Sequence, residues 1–203
     1  MYIRFVGELP SNSVGQLADC TLVQDSVENA DGAEVFGGRF PEDARWPELL
    51  GRMLGCESVN LGLNGRRVPR FQRTIEADLT LLKRSGDGLI LVMLGTNDLL
   101  AEADPTDTAA HMRQFLLQLE EAMPDSAVLL CAPPPVAGFG EGYENAFREL
   151  ADAYEALSRD LGLLYTDTAP WGIPTCSDGI HFTEQGHRLF ALKMGQTIRA
   201  FLN

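Results

Sequence analysis

Short apolar runs alternate with amphipathic stretches along most of this chain, and that alternation limits the folds open to it. Glu57–Leu61, Gly88–Leu94 and Ala127–Ala132 are brief, rich in Val, Ile and Leu, and bounded by Gly, Asp or Pro, so they read as buried strands. Leu163–Thr166 reads as a weaker strand. Helical segments are expected over residues 46–54, 71–84, 107–123, 144–161 and 184–202. In the third of these, Met112, Phe115, Leu116 and Leu119 recur at helical spacing and form one apolar face. Pro105 and Thr106 precede that segment and Pro124 follows it, as helix punctuation should. Strand and helix in alternation predict a parallel sheet with helices on both faces, and the right-handed crossover rule leaves few topologies. The expected fold is α/β, a flavodoxin-like three-layer α/β/α sandwich of about five parallel strands.

Length and charge narrow the function. At roughly 150 residues per domain, the 203 residues are expected to form a single domain, 1–203. With 16 basic and 29 acidic side chains the net charge is −13. A phosphate-backbone binder needs clustered Lys and Arg, so no nucleic-acid partner is expected. No apolar run approaches the roughly 18 residues of a membrane span, and residues 1–15 lack the basic flank and apolar stretch of a signal peptide. Cys20, Cys56, Cys131 and Cys176 suggest neither a disulfide framework nor zinc-ligand spacing. A cytoplasmic, reduced protein without a membrane span is the expectation.

Ligands of parallel α/β sheets bind beyond the carboxyl ends of the strands, so chemistry is sought there. Asn60-Leu-Gly-Leu-Asn-Gly65 follows the strand at residue 57, Gly95-Thr-Asn-Asp98 follows the strand at residue 88, and Ser177-Asp-Gly-Ile-His-Phe182 precedes the final helix. Asp178 and His181 are close enough in sequence for one short turn to set the carboxylate beside the imidazole. Such a carboxylate fixes the ring tautomer and stabilises the imidazolium formed in proton transfer, leaving the other ring nitrogen as general base. Gly62 lets the backbone N–H approach a developing oxyanion, and Asn97 can add a side-chain amide donor. His111 and His187 read as surface or packing residues, Cys131 as core, and Cys176 as a weak candidate thiol nucleophile.

These three ordered blocks resemble those of the SGNH (GDSL) hydrolases, a family of serine esterases and lipases. Arg39-Phe-Pro-Glu-Asp-Ala-Arg-Trp-Pro47 is similar to the arylesterase and acyltransferase branch, and the resemblance runs from about Cys20 to Leu189. It implies a Ser-His-Asp triad with Asp178 and His181 as two members and Gly62 and Asn97 as the oxyanion hole. It implies a small-molecule ester substrate and no metal or cofactor, and it is compatible with a homo-oligomer. Pro133–Phe139 would line the acyl or alcohol pocket, with Phe139 and Trp171 offering apolar contact or simply packing in the core.

The family's nucleophile sits after the first strand in a Gly-Asp-Ser block, and this chain has no Gly-Asp-Ser. In one register, Thr21–Ala30 is the block, Gln24 replaces the glycine, Ser26 is the nucleophile and residues 1–18 form an N-terminal extension, with room for an extra strand. In the other, Tyr2–Gly7 is the first strand and Leu9 stands at the nucleophile position, unless Ser11 or Ser13 moves in. An Asp–His pair with a complete oxyanion hole makes little sense around a leucine, which favours Ser26. The leading expectation is therefore a carboxylic ester hydrolase working through an acyl-enzyme. Its rival is a catalytically impaired relative, with Leu9 at the site, that binds an ester or glycan. A phosphate or nucleotide binder fits less well, because no Gly-x-Gly-x-x-Gly or Walker loop follows a strand.

Overall fold

The computed structural model describes the backbone of residues 2–7 and residues 40–63, 65–84 and 86–202. Five parallel strands form one sheet in the order β2-β1-β3-β4-β5, with β1 at Tyr2–Gly7, β2 at Glu57–Asn60, β3 at Leu89–Met93, β4 at Ala127–Ala132 and β5 at Leu164–Asp167. This is the flavodoxin-like strand order. Among the described residues six helices accompany them: α1 (Trp46–Leu54), α2 (Gln72–Arg84), α3 (Thr96–Leu100), α4 (Pro105–Ala122), α5 (Glu141–Leu161) and α6 (Glu184–Leu202). No helix among the described residues is long and apolar enough to cross a membrane.

β3 shows why the sheet must be covered twice. All its residues are buried, and successive side chains of a strand point to opposite faces. Ile90 and Val92 accordingly join Phe115, Leu116 and Leu119 of α4 and Leu150 and Tyr154 of α5. Leu89, Leu91 and Met93 join Trp46 and Leu50 of α1 and Phe190, Met194 and Ile198 of α6. Each such aliphatic side chain taken fully out of water contributes about 1.5–3 kcal/mol, so neither face is left open.

β1 pairs with β2 on one side and β3 on the other, Phe5 standing opposite Asn60 and Gly7 opposite Met93. Of the two registers, this is the strand expected where Tyr2–Gly7 is the first strand; the Thr21–Ala30 block of the other lies outside the described residues. The backbone of Tyr2–Gly7 bonds to both neighbours, as only an inner strand does. Ser11, Ser13, Ser26 and Leu9 lie outside the described residues.

One short element was not expected from periodicity. α3 begins directly after β3, and its cap Gly95 has φ +127°. A Cβ there would lie 2.6 Å from Leu150 Cδ2, so glycine is required both by conformation and by space. Tyr154 fixes the same point, its hydroxyl donating to the Leu94 carbonyl at 3.1 Å. The α4 helix starts at Pro105 rather than after it, capped by Asp104, whose Oδ1 accepts from the N–H of Thr106 at 2.7 Å and of Asp107 at 3.2 Å.

Candidate active site

The turn holding Asp178 and His181 is built almost entirely from its own backbone. Cys176 N–H donates to His181 O at 2.6 Å, Gly179 N–H to Cys176 O at 3.0 Å and Thr183 N–H to Pro174 O at 3.1 Å. Thr175 and Phe182 form an antiparallel bridge that closes the loop. Gly179 has φ +72°, and a Cβ on it would collide with the Ala137 carbonyl oxygen. Ala137 N–H donates to Gly179 O at 2.8 Å. Glycine thus lets the turn dock backbone to backbone on the segment that follows β4. Thr183 then starts α6 by accepting the Gly186 N–H on Oγ1 at 3.0 Å.

Within this turn the two oxygens of Asp178 have separate duties. Oδ1 accepts the N–H groups of Ile180 at 2.9 Å and His181 at 3.0 Å, an Asx turn. Oδ2 meets His181 Nδ1 at 2.5 Å. Burial raises the Asp178 pKa, but the hydrogen bonds from the His181 ring and from the His181 and Ile180 N–H groups outweigh it and hold the carboxyl below its usual range. An ionised carboxylate only accepts, so in the neutral ring Nδ1 carries the proton and Nε2 presents its lone pair. His181 Nε2 is buried and has no hydrogen-bond partner among the described residues.

The other two candidates lie after β2 and β3, the strands that flank β1. Gly62 is buried, and its N–H donates to Asn60 Oδ1 at 3.2 Å. Asn97, half-buried in the first turn of α3, donates from Nδ2 to Arg66 O at 3.1 Å. Its neighbour Asp98 is fully buried. Its Oδ2 accepts the Val68 N–H at 2.9 Å and its Oδ1 pairs with Arg70 at 2.9 Å. Arg66 in turn pairs with Asp78 of α2 and donates to Leu61 O at 2.5 Å. The loop that carries Gly62 is therefore strapped to the helix that carries Asn97. Sequence reading saw Asp98 only as part of a block and missed this role, because its partners are 28 and 30 residues away.

The remaining sequence candidates sort by position. Trp171 is partly buried and packs against the core through Phe190, ring centroids 5.1 Å apart. Phe139 is 40% exposed and meets Tyr143 edge-on at 5.5 Å. Pro133, Pro135, Val136 and Ala137 line one wall of a cavity of about 560 Å³. His187 is buried and His111 sits on α4 beside the Asp107 carbonyl, so both are packing or surface residues. Cys131 is buried, and burial pushes its thiol pKa up. Cys176 is disulfide-bonded, while Cys56 and Cys131 are free. That corrects the expectation of a wholly reduced chain, and a sulfur held in a disulfide is no thiol nucleophile. Among the described residues no group of His, Cys, Asp and Glu is arranged to hold a metal ion.

Residues 25–189 match the model of the GDSL-like lipase/acylhydrolase family. The chain belongs to that family. This GDSL-like lipase/acylhydrolase resembles the M. smegmatis aryl esterase, with a TM-score of 0.73, 26% identity and 98% of each chain covered. It also shares its fold with a carbohydrate acetylesterase from Sinorhizobium meliloti, with a TM-score of 0.75, 23% identity, and 98% of this chain and 99% of that one covered. No curated protein matches it.

Proposed function

We propose that this family member is a serine esterase that cleaves carboxylic esters of small molecules through an acyl-enzyme. The observation that carries the reading is the Asp178–His181 pair at 2.5 Å, with His181 Nε2 buried and without a hydrogen-bond partner among the described residues. A neutral imidazole held by a carboxylate on one nitrogen and open on the other is the general base that a serine hydroxyl requires.

In the proposed cycle Ser26 Oγ attacks the ester carbonyl and its proton passes to His181 Nε2. The imidazolium is stabilised by Asp178. The Gly62 N–H, released from Asn60 Oδ1, and the second Nδ2 hydrogen of Asn97 bind the oxyanion, each donor stabilising the transition state by about 2.7–4 kcal/mol. His181 then protonates the leaving alcohol, and water resolves the acyl-enzyme by the same route in reverse. Ser26 is favoured because the family match begins at residue 25, immediately before it. A second reading rests on β1. Gly62 and Asn97 follow the two strands that flank it, and Ser11 and Ser13 are the first serines after β1 in the sequence.

The test is a fluorophosphonate probe with the adduct mapped by mass spectrometry, together with turnover of 4-nitrophenyl acetate. A label at Ser26, lost in Ser26→Ala along with at least 10³-fold of kcat, is expected. Label at Ser11 or Ser13 moves the nucleophile. Folded protein that takes no label and turns over no ester ends the esterase reading.

A further inference from the structure

Beside the Gly62 loop lies a cleft of about 530 Å³ with Arg66, Arg67, Arg70, Leu63 and Phe71 in its lining. In a chain of net charge −13, residues 66–73 hold four of the 16 basic side chains, Arg66, Arg67, Arg70 and Arg73. The lining arginines differ in how their charge is used. Arg66 is paired with Asp78, both side chains more than nine-tenths buried, and Arg70 is paired with Asp98. Arg67 is exposed, lines the cleft and forms no ion pair among the described residues. Leu63 and Phe71, 58% and 74% exposed, offer apolar surface in the same cleft. Gly62 belongs to the loop that lines this cleft, and Asn97 of α3 bonds the same loop at the Arg66 carbonyl.

We infer that the cleft is a subsite for an anionic group on the ester substrate, with Arg67 as the guanidinium that binds it. The inference rests on the esterase reading and deepens it. A planar guanidinium whose donors are unspent binds carboxylate or phosphate bidentately. The two neighbouring arginines are neutralised by Asp78 and Asp98, so they shape the cleft without competing for the ligand. An acidic protein repels anionic substrates at long range, and the Arg67 guanidinium reverses that sign locally within the cleft. Leu63 and Phe71 would cover the carbon chain or ring between the ester and the charge.

The anion can sit on the acyl or on the alcohol side, and matched ester pairs separate the two. On the acyl side 4-nitrophenyl hydrogen glutarate is compared with 4-nitrophenyl valerate. On the alcohol side 4-acetoxybenzoate is compared with its methyl ester. One pair should show a higher kcat/KM for the anionic member, and Arg67→Gln should lower that value about tenfold while leaving the neutral member within twofold. Arg67→Lys should restore part of it, and raising salt should erode the preference. Equal effects of Arg67→Gln on both members, or none on either, overturn the subsite. Calorimetric binding of glutarate and 4-hydroxybenzoate to wild type and Arg67→Gln provides a readout without turnover. Binding that depends on Arg67 in a protein that hydrolyses none of the esters keeps the subsite and ends the esterase reading. Turnover of the neutral esters with no anion preference and no such binding does the opposite.

Discussion

His181 and His187 stand six residues apart, both buried, both with an Nε2 that finds no hydrogen-bond partner among the described residues. Their Nδ1 partners make them chemical opposites. At His181, Nδ1 donates to the Asp178 carboxylate, so the free Nε2 is a lone pair with an anion behind it. At His187, Nδ1 accepts the Trp46 N–H at 3.4 Å, so Nε2 must carry the proton of the neutral ring. Phe40 and Phe182 meet that ring edge-on, at 5.7 and 5.6 Å. Burial, followed by the nearby Arg45 charge, lowers the His187 pKa to about 4. What separates a candidate base from a packing residue is thus the group on the far nitrogen. Burial alone does not decide it.

The largest effect should follow from removing that difference. Asp178→Asn replaces an acceptor-only group with an amide able to impose the wrong tautomer on His181. The kcat for 4-nitrophenyl acetate is expected to fall about 10³–10⁴-fold, whereas His187→Phe should stay within about threefold of wild type. A drop of less than tenfold in Asp178→Asn would show that the carboxylate is not coupled to the chemistry.

The two sites should also part company with pH. A buried neutral histidine with a depressed pKa leaves the unfolded chain binding more protons between about pH 4 and 6.5. Its share of stability is therefore lost as pH falls, by about 2 kcal/mol between pH 7 and pH 5. Urea unfolding should show that loss in wild type and not in His187→Phe. The depressed carboxyl of Asp178 acts in a lower window. Its contribution is present above about pH 4 and is lost only as pH falls through its folded pKa. A His187→Phe variant with the same pH 7 to pH 5 slope as wild type would refute the assignment of that window to His187.

The contrast also explains what could be read from residues alone. Asp178 and His181 were legible because their contact spans three residues and needs only one turn. β3 and β4 were legible because a doubly covered strand is a continuous apolar run, and α4 because its apolar face repeats at helical spacing. The role of Asp98 was not, since its bonds to Val68 and Arg70 exist only once the loop after β2 folds over α3. α3 itself, five residues long, is too short for periodicity to register. Trp46 shows the same limit. It was read as part of a family block, but its ring packs on Phe190 at 4.8 Å and its N–H reaches across 141 residues to His187.

Phe182 offers the finest test, because it touches one histidine and adjoins the other in sequence. Its ring packs against His187 and, at 5.2 Å, against Phe190, while its backbone faces Thr175 across the bridge that closes the Asp178–His181 turn. Phe182→Leu keeps the bridge and removes the ring. If the turn is held by its backbone, the variant should lose about 1 kcal/mol of unfolding free energy with kcat within threefold of wild type. The His187 window should also shift, because a smaller side chain admits water to the ring and lets its pKa recover toward 6.5. The pH 7 to pH 5 loss of stability would then shrink. A variant that keeps its stability but loses kcat tenfold would mean that the ring, and not the turn's own hydrogen bonds, positions His181.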